Sequence, residues 1–427
     1  MSTSERGAQT LIETKRSWKL PGVYVAASVL LVILAAVTSG DVRIILNDKS
    51  QSYVIPEVVT AGAPIVWGLA VIAIAAAAWS LVTTARRMRT PSWARIIVVV
   101  LVGLSTVCGF LVFAGSGSTT GGVTLTSVLV STVALSTPLI FGALAGVISE
   151  RVGVVNIAIE GDLLVGAFAG VLVASYFHNA YAGLIAAPVA GAFMGLLLAL
   201  FSVKYGVDQV IVGVVLNVLA LGLTTFFGGT VMKKSTLNLN TNQFSLSTIK
   251  IPGLSEIPVI GPALFNQTIL VYIMYVVVAA LAFFLFRSRW GLRLRACGEH
   301  PWAADTVGIN VQRTRTNNTV LGSALAGLGG AFFTIGSSLA FTDNISAGNG
   351  YIALAALILG KWNPLGAMAA AVMFGFAQAT AHLLPNLSNA VPGNLVSMIP
   401  YVVTIIAVAG FVGKSRAPAA ENVPYMK

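Results

Sequence analysis

Gly413-Lys414-Ser415 places side by side the residue types that end a phosphate-cradling loop. Such a loop needs an earlier glycine, so that backbone amides can close around the phosphate. Val408 occupies that position, and the segment closes an apolar run, so the match is one of residue types only. The 3 histidines, His178, His300 and His382, stand apart in sequence and read as interfacial or packed residues rather than metal ligands. The 2 cysteines, Cys108 and Cys297, fall in different settings and suggest neither a disulfide nor a metal site. No Gly-x-Ser-x-Gly or His-Glu-x-x-His pattern occurs. The chain therefore carries no enzyme active site that its residues reveal.

Hydrogen-bonding chemistry remains. Within the apolar runs the polar residues are chiefly Asn217, Gln378, Thr380 and scattered serines and threonines. Proton and sodium relays usually leave carboxylates or cations inside membrane spans, and these runs read as nearly free of them. An uncharged polar path suits a neutral solute, with energy supplied from outside the membrane by a docked ATPase.

Composition fixes the class. Hydrophobic residues make up 56% of 427 and charged residues 9%, and mean hydropathy is +0.88. Such a chain is an all-α polytopic membrane protein. The formal charge of +11 would suggest nucleic acid in a soluble domain. Here the cations cluster just outside apolar runs, where topology and lipid headgroups account for them and no nucleic acid is needed.

Runs long enough to cross about 30 Å of hydrocarbon fall near 21–39, 61–85, 94–114, 123–148, 163–178, 181–203, 209–230, 268–286, 317–341, 350–383 and 395–413. That predicts ten to eleven spans. The Lys/Arg bias puts both termini and the loops around Arg86 and Arg287–Arg315 inside. Parity then fails unless the tenth run is broken, and Gly360-Lys361-Trp362-Asn363-Pro364 is the natural place: proline lacks an amide donor and glycine tolerates unusual torsions. A half-span entering at 351–359 and returning along 365–382 repairs the count. Broken helices persist in membranes only where protein or a water-filled cavity satisfies their backbone.

Gly142 with Gly146, Gly166 with Gly170 and Gly191 with Gly195 are spaced for close helix packing. Glu160, at the head of the short fifth run, suits a helix amino terminus. The stretch from Arg287 to Thr316 is long, basic and exposed to solvent on this topology. Within it, Pro301 suits a first helical position and Gly308 an exit, predicting a two-turn helix between them. Ala303, Ala304, Val307 and Val311 recur on it at helical spacing. This reads as a docking helix for a soluble partner. Residues 231–267 form the longest loop on the opposite side.

Three stretches carry a resemblance: ERVGVVNIAIEG (150–161), ACGEHPWAADTVGIN (296–310) and GNGYIALAALILGKWNPLGA (348–367). In order and spacing, over about 123–413, they resemble the membrane permease subunits of ATP-binding-cassette importers of the branched-chain amino acid, ribose and nucleoside type. The resemblance implies a cytoplasmic tail (1–20), an added module of three spans (21–122), a permease core (123–413) and a second tail (414–427). It implies that Gly298, Glu299, Pro301, Ala303, Ala304, Asp305 and Gly308 couple to the ATPase. It also places Asn156 and Glu160 at or bracing the inner end of the solute path, with Asn217, Trp362 and Gln378 along it. Asn217 reads equally as glue between helices, and Phe332, Phe333, Trp362 and Phe376 are the aromatics available to stack on a base or sugar.

The implied machine is an importer in a bacterial cytoplasmic membrane, with nucleosides as the leading solute. A simple sugar is the alternative, and an ion-coupled carrier or a scaffold stand further off. The chain itself would be no enzyme and bind no cofactor, since ATP and magnesium belong to a separate ATP-binding subunit. Its other implied partners are a second, different permease chain, an external substrate-binding protein and membrane lipid.

Overall fold

The computed structural model describes residues 18–45, 57–88, 90–117, 123–232, 239–240, 244–338, 340–387, 398 and 416–425. Contacts divide the chain into two units, 1–43 with 58–122 and 44–57 with 123–427. In the first, α1 (Lys19–Val37), α2 (Gly62–Ala85) and α3 (Ser92–Gly115) pack on one another. Tyr24, Ala76, Ala77 and Val102 lie at the centre of that packing.

The second unit holds α4 (Leu125–Arg151), α5 (Ile159–Phe177), α6 (Ala180–Ala199), α7 (Gln209–Phe227), α8 (Ile260–Phe265) and α9 (Ile269–Arg287). They are followed by α10 (Arg289–Glu299), α11 (Pro301–Thr306), α12 (Val311–Ala331), α13 (Asn349–Leu359) and α14 (Pro364–Leu387). Single π-helical turns extend α6, α7 and α12, the last over Phe332–Ser338. Among the described residues 10 helices are long and apolar enough to cross a membrane, while α13 is shorter. The fold is all-α and polytopic; its few strands are at most 5 residues long. The expected eleventh span at 395–413 lies, apart from Met398, outside the described residues, as do Gly413-Lys414-Ser415 and the first part of the amino-terminal tail.

Close approach of backbones, rather than bulky side chains, joins α5 and α6 to α12. A Cβ added at Gly166 would lie 2.2 Å from the carbonyl oxygen of Gly327, and one at Gly191 would lie 2.2 Å from that of Ser323. In lipid, where apolar burial drives no association between helices, such contacts are the main attraction. The tenth apolar run is broken where the sequence predicts: α13 ends at Leu359, Lys361 and Trp362 take positive φ, and α14 starts at Pro364.

One expectation is corrected. The spans are not free of ionisable groups: Glu150, Glu160, Asp162 and Arg315 all lie within spanning helices and are buried. α4 ends later, and α5 and α12 begin earlier, than the apolar runs, and these extensions hold the four ionisable residues.

Gly191→Val must push α6 off α12, and overpacking of this kind costs about 1–3 kcal/mol. Its melting temperature in detergent should fall clearly, whereas Gly22→Ala, with nothing within 4 Å of the added carbon, should melt like the parent.

Candidate functional site

The chain before α13 turns tightly, with Gly348 at φ +83°. The helix that follows therefore points its first amides at Glu160. One carboxylate oxygen of Glu160 accepts from the Ser346 hydroxyl (2.6 Å) and the Gly348 amide (2.8 Å). The other accepts from the Gly350 amide (2.6 Å). Unpaired donors at a helix start need such a partner when water is absent, and the negative charge also suits the positive end of the helix dipole. Gly350 must be glycine for this, because a Cβ there would sit 2.5 Å from the Glu160 backbone. Glu160 does sit at a helix amino terminus, as the sequence suggests. It lies in the first turn of α5, and its carboxylate in addition caps the start of α13.

Beside this capped end lies a cavity of about 760 Å³. Its walls come from α4 (Ser131, Leu135), the π-helical turn (Phe332, Phe333, Ser337, Ser338), α13 (Asn349, Ile352) and α14 (Gln378, His382). Gln378 donates to the Asn349 carbonyl oxygen at 2.6 Å, so two carboxamides stand together in the wall. Phe332 and Phe333 meet edge to face with ring centres 6.0 Å apart. An apolar cleft with a few convergent polar groups and a volume of some hundreds of Å³ is the usual form of a small-molecule site. Of the residues the sequence proposes for the path, Gln378, Phe332 and Phe333 line this cavity. The sequence reading missed Asn349, whose only signal is its place at the start of the broken segment.

The other proposed residues lie outside that lining. Asn217 accepts from the Gly161 amide (2.8 Å) and donates to the Ile157 carbonyl (2.9 Å) and the Tyr351 hydroxyl (3.3 Å), tying α7 to α5 and α13. Asn156 is fully buried and donates toward Asp162 (3.4 Å) and Ser323 (3.3 Å). Trp362, in the break, donates its indole N–H to Glu150 and accepts at its carbonyl from the Arg151 side chain (2.9 Å). Phe376 is likewise absent from the cavity lining.

At the other end of the same unit lies the predicted docking helix. Pro301 starts α11 and Gly308, at φ +83°, ends it. The amides of Gly308 and Ile309 return to the carbonyls of Asp305 (2.9 Å) and Ala304 (3.1 Å), closing the helix. The proposed apolar stripe divides. Ala304 and Val311 face inward and are buried, while Ala303 is exposed, Trp302 is 55% exposed and Val307 is 74% exposed. Gly298 packs where a Cβ would meet the Arg151 carbonyl at 2.1 Å. Glu299 is exposed and accepts from the Ala419 amide (3.3 Å).

That last contact belongs to a feature the sequence reading did not foresee. Residues 416–425 lie along the loop. The Ala420 amide donates to Gly298 (2.9 Å), and the Tyr425 ring meets Trp302 edge to face. Arg315, 1% exposed, gives its guanidinium to the carbonyls of Val423 (2.7 Å), Ala420 (3.2 Å) and Cys297 (3.5 Å). A buried cation without a carboxylate is tolerated when carbonyl dipoles take its protons. Glu421 from this segment meets Glu150, and burial pushes its carboxyl up to about 7, an effect that its hydrogen bond with Glu150 partly offsets.

A family model described as branched-chain amino acid transport system / permease component matches residues 128–408. The guanosine ABC transporter permease protein NupQ of Bacillus subtilis is 41% identical over 313 residues, covering 71% of this chain and 97% of that one. The nucleoside ABC transporter permease protein NupC of Lactococcus lactis is 39% identical, covering 71% and 98%. A putative glucose ABC transporter permease protein, TsgC13 of Haloferax volcanii, is 32% identical, covering 62% and 79%. No solved structure matches. The helices α1–α3 precede the matched residues.

With its carboxyl raised to about 7 by burial, Glu421 holds a proton more tightly in the docked tail than in a released one. Docking therefore weakens as pH rises from about 5 to about 7 and levels off above that. Spin labels at Ala303→Cys and Asn422→Cys should show the short distance most populated at low pH, and Glu421→Gln should reduce the dependence.

Proposed function

The chain belongs to the family of permease components of the branched-chain amino acid transport system type, and on that premise we propose that it forms the membrane path of an ATP-driven nucleoside importer. The observation that carries the reading is the similarity to a guanosine and a nucleoside permease protein over nearly their whole lengths. The cavity agrees with it. Phe332 and Phe333 offer ring faces to a base, the Asn349–Gln378 pair offers both donors and acceptors to base edges or ribose hydroxyls, and no carboxylate lines it among the described residues. A polar uncharged lining suits a neutral solute, because a buried site selects for ligands that satisfy its hydrogen bonds. A simple sugar is the second reading, favoured by the likeness to the putative glucose permease protein.

In this reading α11 is where a separate ATP-binding subunit pushes. Trp302, Ala303 and Val307 would enter a groove of that subunit, and the ridge Gly298–Pro301 with Asp305 and Gly308 would fix the angle of the helix. Motion at α11 passes to α12, which follows it directly, and the π-helical turn at the end of α12 carries Phe332 and Phe333 in the cavity wall. Coupling requires the loop to fit two states of the ATPase differently. The reading puts the termini and this loop on the cytoplasmic side, pairs the chain with a second permease subunit, and has an external binding protein deliver the solute. Residues 21–122 would be an added module, 123–413 the permease core, and ATP with magnesium would be held by the partner alone.

Co-expression with the neighbouring ATPase, partner permease and binding protein should give ATP-dependent uptake of radiolabelled guanosine or uridine into vesicles. Val307→Arg, on the exposed face of α11, should cut uptake at least about tenfold without loss of inserted protein. Uptake of a sugar alone would favour the second reading, and uptake that ignores both ATP and the substitution would overturn the coupling.

A further inference from the structure

The docking helix is apolar on its exposed face, so it leaves the arginines of the basic stretch without a task. Arg315 is absorbed by the tail, and Arg151 and Arg295 stack on Phe286. Arg287 is exposed at the end of α9, and Arg289, Arg293 and Arg313 all line one cavity of about 980 Å³.

Helical spacing builds this cavity. Ser288 caps α10 through its hydroxyl (3.1 Å to the Gly291 amide), and Arg289, Leu292, Arg293 and Ala296 then fall on one face. Asn310 caps α12 (2.9 Å to the Arg313 amide), and Arg313, Asn317 and Leu321 fall on one face there. The two faces border the same space. Its lining holds three guanidinium groups and three carboxamides, together with Val307, Gly308 and Ile309 just after α11, and no carboxylate among the described residues.

The position restricts the occupant. The loop 288–310 joins α9 to α12, so both spans meet the membrane surface on the side where the cavity opens. Leu321 is exposed and lies eight residues beyond Arg313 in α12, about 12 Å along the helix at 1.5 Å per residue. The cavity thus runs from a cluster of guanidinium groups at the surface to an apolar wall at acyl-chain depth. We propose that it is a binding site for an anionic phospholipid, whose phosphate lies between Arg289, Arg293 and Arg313 and whose chains lie along Leu292 and Leu321. Guanidinium forks match phosphate oxygens in pairs, and basic pockets between spans at a membrane surface hold acidic headgroups. This assignment does not depend on which solute the chain carries.

The purified chain is placed in nanodiscs of phosphatidylcholine, alone or in equal parts with phosphatidylglycerol, and retained lipid is read by native mass spectrometry. Phosphatidylglycerol should be retained in preference to phosphatidylcholine. Each of Arg289→Gln, Arg293→Gln and Arg313→Gln should weaken that retention about fivefold, while Arg86→Gln, on α2, should not. Inorganic phosphate added to phosphatidylcholine discs should leave no adduct, and an adduct would reassign the site to a free anion. Undiminished phosphatidylglycerol retention in all three variants overturns the proposal. So does retention that persists while the variants stop co-purifying with the ATPase, which would give the surface to a protein.

Discussion

A helix of eleven residues such as α13 covers about 16 Å at 1.5 Å per residue, half of what a bilayer core requires. Such a helix must begin inside the protein, and its first amides have no water to turn to. The Glu160 carboxylate meets that need, taking two backbone amides and one hydroxyl at 2.6 to 2.8 Å. Hydrogen bonds to a charged group contribute about 1.5–3 kcal/mol each, and an unpaired buried donor costs a similar amount. The interaction therefore decides whether the broken segment can exist. The cavity wall formed by Asn349 and Ile352 hangs on it, and so does the pairing of Asn349 with Gln378.

The same logic repeats at the other polar ties. Asn217 holds the segment before α5 and the α13 residue Tyr351, Trp362 holds Glu150 at the far end of α13, and Arg315 holds the tail to the loop. Between them run glycine contacts that bring α5 and α6 against α12 with no side chains in the way. The unit is thus joined through backbone where long helices touch, and α11, α13 and the π-helical turn are its short pieces. Those pieces carry the proposed docking face and part of the cavity wall.

Much of this was legible. Pro301 and Gly308 mark α11 because their backbone preferences are local, and Gly360 with Pro364 mark the break for the same reason. The spans follow from hydropathy, and Gln378, Phe332 and Phe333 were legible as polar or aromatic residues within them. The partners of those residues were not. Nothing local tells that Glu160 meets Gly350, or that Glu421 returns to Glu150 across most of the chain. Likewise, nothing local tells that Asn217 ties α7 to Gly161 and Ile157, or that Asn156 donates to Asp162 and Ser323. Ala304 and Val311 share the period of Ala303 and Val307 but face inward, because period alone does not state which side of a short helix has a neighbour.

The cavity between α4, α12–α14 and the capped end of α13 is the proposed resting place of the solute. Ser337 lies in its wall, so the direct measurement is thiol labelling of Ser337→Cys in the assembled transporter, with Cys108 and Cys297 replaced. A small hydrophilic thiol reagent should modify it, and guanosine or uridine should slow that modification at least several-fold while leaving Ile185→Cys, on the exposed side of α6, unaffected. A position 337 that reacts equally with and without nucleoside, under conditions where uptake proceeds, would place the solute path elsewhere.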